Sequence, residues 1–170
     1  RMRTQQENES FLKLITENKG IILKICNSYC SNKADREDLA QEIIYTLWKE
    51  NKKYTPNFKI STWMYRVALN VAISFYRATK KLNTNISFTE AELEIEDNAI
   101  YCELEQENIN SLQYQISNLK EFDKAFIILY FEEKSYKEMA EIIGITETNV
   151  ATKVNRIKEK LKQNIKNSIQ

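Results

Sequence analysis

The chain has 170 residues, 42% of them hydrophobic, a length that supports one medium core or two small ones. With only two glycines and one proline, tight turns and hairpins are scarce, and an all-α fold of long helices is expected. There is no histidine, no glycine-rich phosphate loop and a net charge of only +1, a poor residue set for acid–base, metal or nucleotide chemistry.

Apolar residues at helical spacing, Phe11, Leu14 and Ile15, then Ile22, Ile25, Cys26 and Tyr29, predict one or two core-forming helices with Gly20 near their junction. Cys26, Cys30 and Cys102 form an odd set with no secretory leader before them. They read as reduced thiols of a cytoplasmic protein, because a redox or metal site lacks further ligands. No apolar run approaches the ~20 residues of a membrane span, so no membrane insertion is expected.

Next comes an acidic helix start, D-R-E-D-L-A-Q-E, in which Asp35 can act as N-cap with Glu37 and Asp38 in the first turn, at the positive end of the macrodipole. Leu39, Ile43, Ile44 and Leu47 take one side, leaving Asp38, Gln41, Glu42 and Tyr45 on the other. Such a face suits either solvent or a protein partner. The stretch N-K-K-Y-T-P-N-F-K-I holds the only proline and reads as a basic, aromatic loop with Lys52, Lys53, Tyr54, Phe58 and Lys59.

Ser61 is expected to cap the following helix. At roughly 100° per residue, Trp63, Arg66, Asn70, Ser74 and Arg77 form one polar strip beside Met64, Val67, Ala68, Val71 and Phe75. An aromatic, a guanidinium and an amide in line can stack unpaired bases and hold phosphates. The same strip also fits a Trp half-buried in the core with Arg as its solvated rim.

Charge then changes sign. Residues 1–80 carry 14 Lys/Arg against 8 Asp/Glu, net +6; residues 81–110 carry 1 against 8, net −7; residues 111–170 carry 10 against 8, net +2. The acidic segment lacks a sustained helical stripe, so the expected plan is a first helical domain over 1–81, a linker over 82–102 and a second helical domain over 103–170.

In the second domain, helices are expected around 104–117 and around Phe122 to Tyr130, followed by S-Y-K-E-M-A-E-I-I-G-I-T-E-T-N-V-A-T-K-V-N-R-I. Ser135 and Glu138 can form a capping box, Ala140 permits close helix crossing, and Gly144 allows a left-handed turn that Ile145 fills. Thr146 can cap a new helix with Val150, Val154, Ile157 and Leu161 inward. This spacing predicts a helix-turn-helix rather than a merely structural hairpin. Docked as such units dock, it turns Thr148, Asn149, Thr152, Lys153 and Arg156 to the major groove. Glu147 there repels phosphate or accepts from cytosine.

The pattern D-x-E-D-L-x-Q-E-x-x-x-x-L-W at 35–48, with S-T-W-x-Y-R-x-A-x-N at 61–70, resembles the second conserved region of bacterial sigma factors. The stretch S-Y-x-E-M-A-E-I-I-G-I-T-x-x-N-V at 135–150 resembles their fourth region. With no third-region domain between them, the chain is most similar to the small extracytoplasmic-function (ECF) group. The resemblance implies a two-domain transcription initiation factor that guides core RNA polymerase to promoter DNA and has no catalytic residue, cofactor, metal or small-molecule substrate.

It implies further that Asp38, Gln41, Glu42 and Tyr45 dock on the clamp helices of the largest polymerase subunit. Trp63, Arg66 and Asn70 would melt or read the minus-ten element, while Lys52, Lys53, Lys59 and Arg77 hold phosphates. The helix-turn-helix would read the minus-thirty-five element and touch the polymerase flap, and the acidic linker would mimic RNA charge near the exit path. An anti-sigma factor is an implied partner.

Two departures from the family pattern are visible: Asn118-Leu119-Lys120 replaces the common Leu-Pro, and Ala151 replaces a basic residue after the recognition-helix Val. A stand-alone helix-turn-helix regulator is the alternative, but it leaves the pairing of 35–48 with 61–70 unexplained. An enzyme would need Asp35, Glu37, Asp38 and Glu42 to act as a metal site, although they crowd onto one capped helix start.

Overall fold

A computed structural model describes residues 5–54, 57–83 and 111–169, and among these every regular element is helical. The chain divides into two units, Arg1–Ala78 and Thr79–Gln170. In the first, α1 (Gln5–Glu17) and α2 (Lys19–Tyr29) meet at Asn18, so Gly20 lies just inside α2. Then follow α3 (Lys33–Glu50), a 3-10 turn (Asn51–Lys53) and α4 (Ile60–Asn83). The linker expected over 82–102 lies, beyond Asn83, outside the described residues.

The first core is built from one stripe of each helix. Phe11, Ile25, Cys26, Leu39, Ile43, Leu47, Met64, Ala68 and Ala72 are all buried. Phe11 meets Trp48 edge to face at 4.9 Å and ties α1 to α3, and Tyr29 meets Tyr76 at 6.3 Å, tying α2 to α4. Such pairs add to area burial because the ring edge is positive and the face negative. Three local expectations are corrected. The N-cap of α3 is Asn32, not Asp35: its side chain accepts from the Asp35 N–H at 2.8 Å and donates to the Asp35 carboxylate at 2.6 Å. Asp35 is thus a first-turn partner of the cap, where its charge still suits the macrodipole.

Ser61 lies inside the first turn of α4, which opens with the Trp63 N–H donating to the Lys59 carbonyl at 3.2 Å. Ile44 is 36% exposed, whereas Tyr65, Leu69 and Ala72, which the apolar strip of α4 had not included, are buried. Core width here is set by how many neighbours surround α4, a quantity periodicity does not carry.

In the second unit, residues 111–117 form α5 as far as it is described, followed by α6 (Glu121–Phe131), α7 (Tyr136–Ile143) and α8 (Glu147–Ile169). Helix α6 is buried at every position from Lys124 to Leu129 and forms the middle of this unit, packed on α8. Helices α7 and α8 pack through Met139, Ile142, Val150, Val154 and Ile157, all buried. No helix among the described residues is long and apolar enough to cross a membrane.

Candidate nucleic-acid interface

Capping places α3, and α3 places its outer face. With Leu39, Ile43 and Leu47 turned into the core, Asp38, Gln41, Glu42 and Tyr45 are all exposed, Tyr45 by 64%. Ile44 joins them, so the face is acidic with an apolar edge. The Thr46 hydroxyl donates back to the Glu42 carbonyl at 2.8 Å.

At its C-terminal end α3 meets the polar strip of α4. Trp63, Arg66 and Asn70 line one recess of about 260 Å³ together with Thr46 and Glu50 from α3 and a floor of Val67 and Val71. Trp63 is half-buried, Arg66 and Asn70 are exposed, and the Tyr54 ring lies against Trp63 at 5.4 Å, tilted by 49°. The Tyr54 hydroxyl donates to the Phe58 carbonyl at 2.7 Å, so Tyr54 holds the loop while Phe58 stays 45% exposed beside it. Trp63 thus packs against Tyr54 and also lines the recess.

The other basic residues do not line this recess. Lys52 and Lys59 are exposed in the preceding loop, the Lys53 side chain lies outside the described residues, and Arg77 is exposed roughly 16 Å further along α4 at 1.5 Å per residue. Thr46 and Glu50 were not legible as site residues, because only the crossing of α3 and α4 brings them there. Cys26 and Cys30 are buried and belong to no disulfide among the described residues, and burial pushes the Cys26 thiol up to about 11. Among the described residues no group of Cys, Asp and Glu is arranged to hold a metal ion.

The second unit carries the expected helix-turn-helix in full. Ser135 and Glu138 make the reciprocal capping box, with the Ser135 N–H donating to Glu138 at 2.9 Å and the Glu138 N–H to Ser135 at 3.2 Å. Gly144 adopts φ 82°, ψ 37°, and both it and Ile145 donate backbone N–H groups to the Ala140 carbonyl. Thr146 caps α8, accepting from the Asn149 N–H at 3.2 Å. Thr148, Asn149, Thr152 and Arg156 are exposed on the first turns of α8.

Asn149, Thr152, Lys153 and Arg156 line a recess of about 280 Å³ that Phe122 and Phe126 close from α6; Thr148 lies outside it. The Lys153 ammonium is held by the Asp123 carboxylate at 3.0 Å, and the Thr152 hydroxyl donates to the Thr148 carbonyl at 3.0 Å. Arg156 is therefore the less encumbered cation of this surface.

A helical unit with a recess beside a basic aromatic loop, joined to a helix-turn-helix unit, defines a DNA-engaging adaptor. Family models describe both units: Sigma-70 region 2 matches residues 14–82 and Sigma-70 region 4 matches residues 109–161. The ECF RNA polymerase sigma factor SigW of Bacillus subtilis (strain 168) is 26% identical over 170 residues, covering 94% of this chain and 91% of that protein. The sigma factor SigV of the same organism is 26% identical over 157 residues, covering 91% of each.

Among solved structures, the sigma factor RpoE of Bartonella quintana in complex with the anti-sigma factor NepR matches with a TM-score of 0.69 at 18% identity, over 96% of this chain and 98% of that one. CnrH, in complex with the cytosolic domain of CnrY, matches with a TM-score of 0.62 at 16% identity, over 92% and 87%. These two show the fold. The chain belongs to the sigma-70 family, in its ECF group. It directs core RNA polymerase to promoters, and the stand-alone regulator is set aside because both sigma regions are present in one chain.

Proposed function

We propose that residues 1–81 dock on polymerase and open the minus-ten element, that residues 103–170 read the minus-thirty-five element, and that the acidic segment 82–102 joins them. The convergence of Trp63, Arg66 and Asn70 on one recess, next to a separate exposed face on α3, is the observation that supports this division. On α3, Asp38, Gln41, Glu42 and Tyr45 meet the clamp helices of the largest subunit, with carboxylates steering the encounter and Tyr45 supplying apolar area. On α4, Trp63 stacks an unpaired base of the non-template strand while Arg66 and Asn70 hold it. Lys52, Lys53, Lys59 and Arg77 hold phosphates, which position the strand without reading it.

Unstacking a base costs a few kcal/mol, offset here by ring stacking and recess contacts. In the second unit, Thr148, Asn149, Thr152, Lys153 and Arg156 enter the major groove, and the unit touches the polymerase flap. Its net charge of +2 over residues 111–170 suits weak DNA binding alone and selective binding when polymerase tethers both units. The chain performs no covalent step; polymerase carries out nucleotidyl transfer, in the cytoplasm. The two structural neighbours are complexed, one with an anti-sigma factor and one with a cytosolic domain, which favours an anti-sigma partner covering the same surfaces here.

Purified chain with core polymerase on a promoter library tests the proposal. Promoter-specific transcripts should depend on the chain and be lost with Trp63→Ala. Tight operator-like binding by the free chain, with transcription indifferent to it, refutes the proposal.

A further inference from the structure

We infer that the recess between α3 and α4 takes one unpaired base bearing an exocyclic amine, with Glu50 as the acceptor that selects it against thymine. The inference rests on the proposed minus-ten role of this recess. Glu50 is the last residue of α3 and is half-buried, facing the recess with Thr46 opposite Trp63, Arg66 and Asn70. A carboxylate in the last turn sits at the negative end of the helix macrodipole, so helix stability does not account for it. Among the described residues, the side chains of Glu50, Arg66 and Asn70 make no hydrogen bond or ion pair, which leaves their donors and acceptors open to a ligand.

Size and chemistry narrow that ligand. The volume of about 260 Å³ is below the ~300–1,000 Å³ of pockets for drug-sized molecules, which suits one base and not a base pair. Glu50 repels a phosphate, so the backbone stays outside with the loop lysines and the base points in. An ionised carboxylate only accepts. Cytosine and adenine offer it an amine, and guanine offers an amine beside a ring N–H, while their remaining acceptors can receive from Arg66 or Asn70. Thymine presents its single ring N–H between two carbonyl oxygens, so a carboxylate facing that edge meets a lone pair.

Polymerase reconstituted with the full chain is titrated with fluorescent single strands of the non-template minus-ten sequence, each position varied through the four bases. At one position thymine should bind about tenfold more weakly than the best amine-bearing base. Glu50→Gln, whose amide donates as well as accepts, should narrow that ratio to about threefold or less there and leave other positions unchanged. The variant relieves the charge at the helix end, so its thermal melting should not fall. Base selection by the wild type that Glu50→Gln leaves intact at every position overturns the role of Glu50 while the proposed function stands. A preference for thymine at the position that responds to Glu50→Gln overturns it as well. Failure of the reconstituted wild type to bind these strands overturns the minus-ten reading itself, and the role of Glu50 with it.

Discussion

Replacing Asp123 with Asn should strengthen promoter binding by freeing a cation that the fold holds back. In the wild type the Asp123 carboxylate, 15% exposed, holds the Lys153 ammonium at 3.0 Å at the edge of the recess shared with Asn149 and Arg156. Once released, Lys153 can neutralise one more phosphate, which steepens the dependence of log affinity on log salt by about 0.9. Between about 50 and 200 mM salt this amounts to a three- to fourfold larger loss of affinity than the wild type shows, roughly.

The stability cost is small. Asp123 lies in the first turn of α6, where a carboxylate contributes ~0.3–1 kcal/mol through the macrodipole. Its pair with the 40% exposed Lys153 is screened and adds at most ~1 kcal/mol. Fluorescence anisotropy of the reconstituted polymerase on a promoter duplex, repeated over a salt series for both proteins, measures the slope. An unchanged or shallower slope in a folded Asp123→Asn protein refutes the expectation that the released Lys153 reaches a phosphate.

Other expectations are simpler to read. Gly144→Ala forces alanine into φ 82°, at a cost of about 1–2 kcal/mol less the ~0.4–1 kcal/mol it saves in the unfolded chain. Urea unfolding followed by circular dichroism should therefore show a loss of roughly 1 kcal/mol, and no loss would mean the turn is not left-handed. Glu42→Lys should cut polymerase affinity by about tenfold without lowering the melting temperature; unchanged affinity would remove α3 from the docking surface.

The Cys26 thiol, raised by burial from 9.0 to about 11, should alkylate far more slowly than a free thiol at neutral pH and at the free rate in urea. The sign of its linkage follows: stability is indifferent to this thiol below pH 9.0 and falls as pH rises from there towards about 11, because the unfolded chain ionises first. Rapid alkylation of the native protein would show that Cys26 is not enclosed.

The helix-turn-helix was legible residue by residue. Each of its determinants acts within a few positions: the Ser135–Glu138 box, the left-handed Gly144, the Thr146 cap and the stripe from Val150 to Leu161. Such interactions are encoded in short segments, so a pattern read in one dimension captures them. The alignment of Trp63, Arg66 and Asn70 was legible for the same reason, since 3–4 spacing puts them on one face of whatever helix forms.

Where side chains compete locally, the same reading was less exact. Asn32 rather than Asp35 caps α3, and the helix opens earlier than the acidic cluster suggested. Both residues are strong cap formers three positions apart, and their mutual hydrogen bonds let the first take the cap while the second braces it.

By itself, then, the sequence determined the all-α class, the two sigma regions and the faces on which the proposed site residues lie, because helix periodicity, capping and turn chemistry are short-range. Only the tertiary structure decided that Glu50 and Thr46 of α3 face the α4 strip, that Ile44 is left at the surface, and that Asp123 neutralises Lys153 thirty residues away. Those outcomes depend on which helices cross and how closely. Crossing is set by the packing of whole cores, in which residues distant along the chain become neighbours.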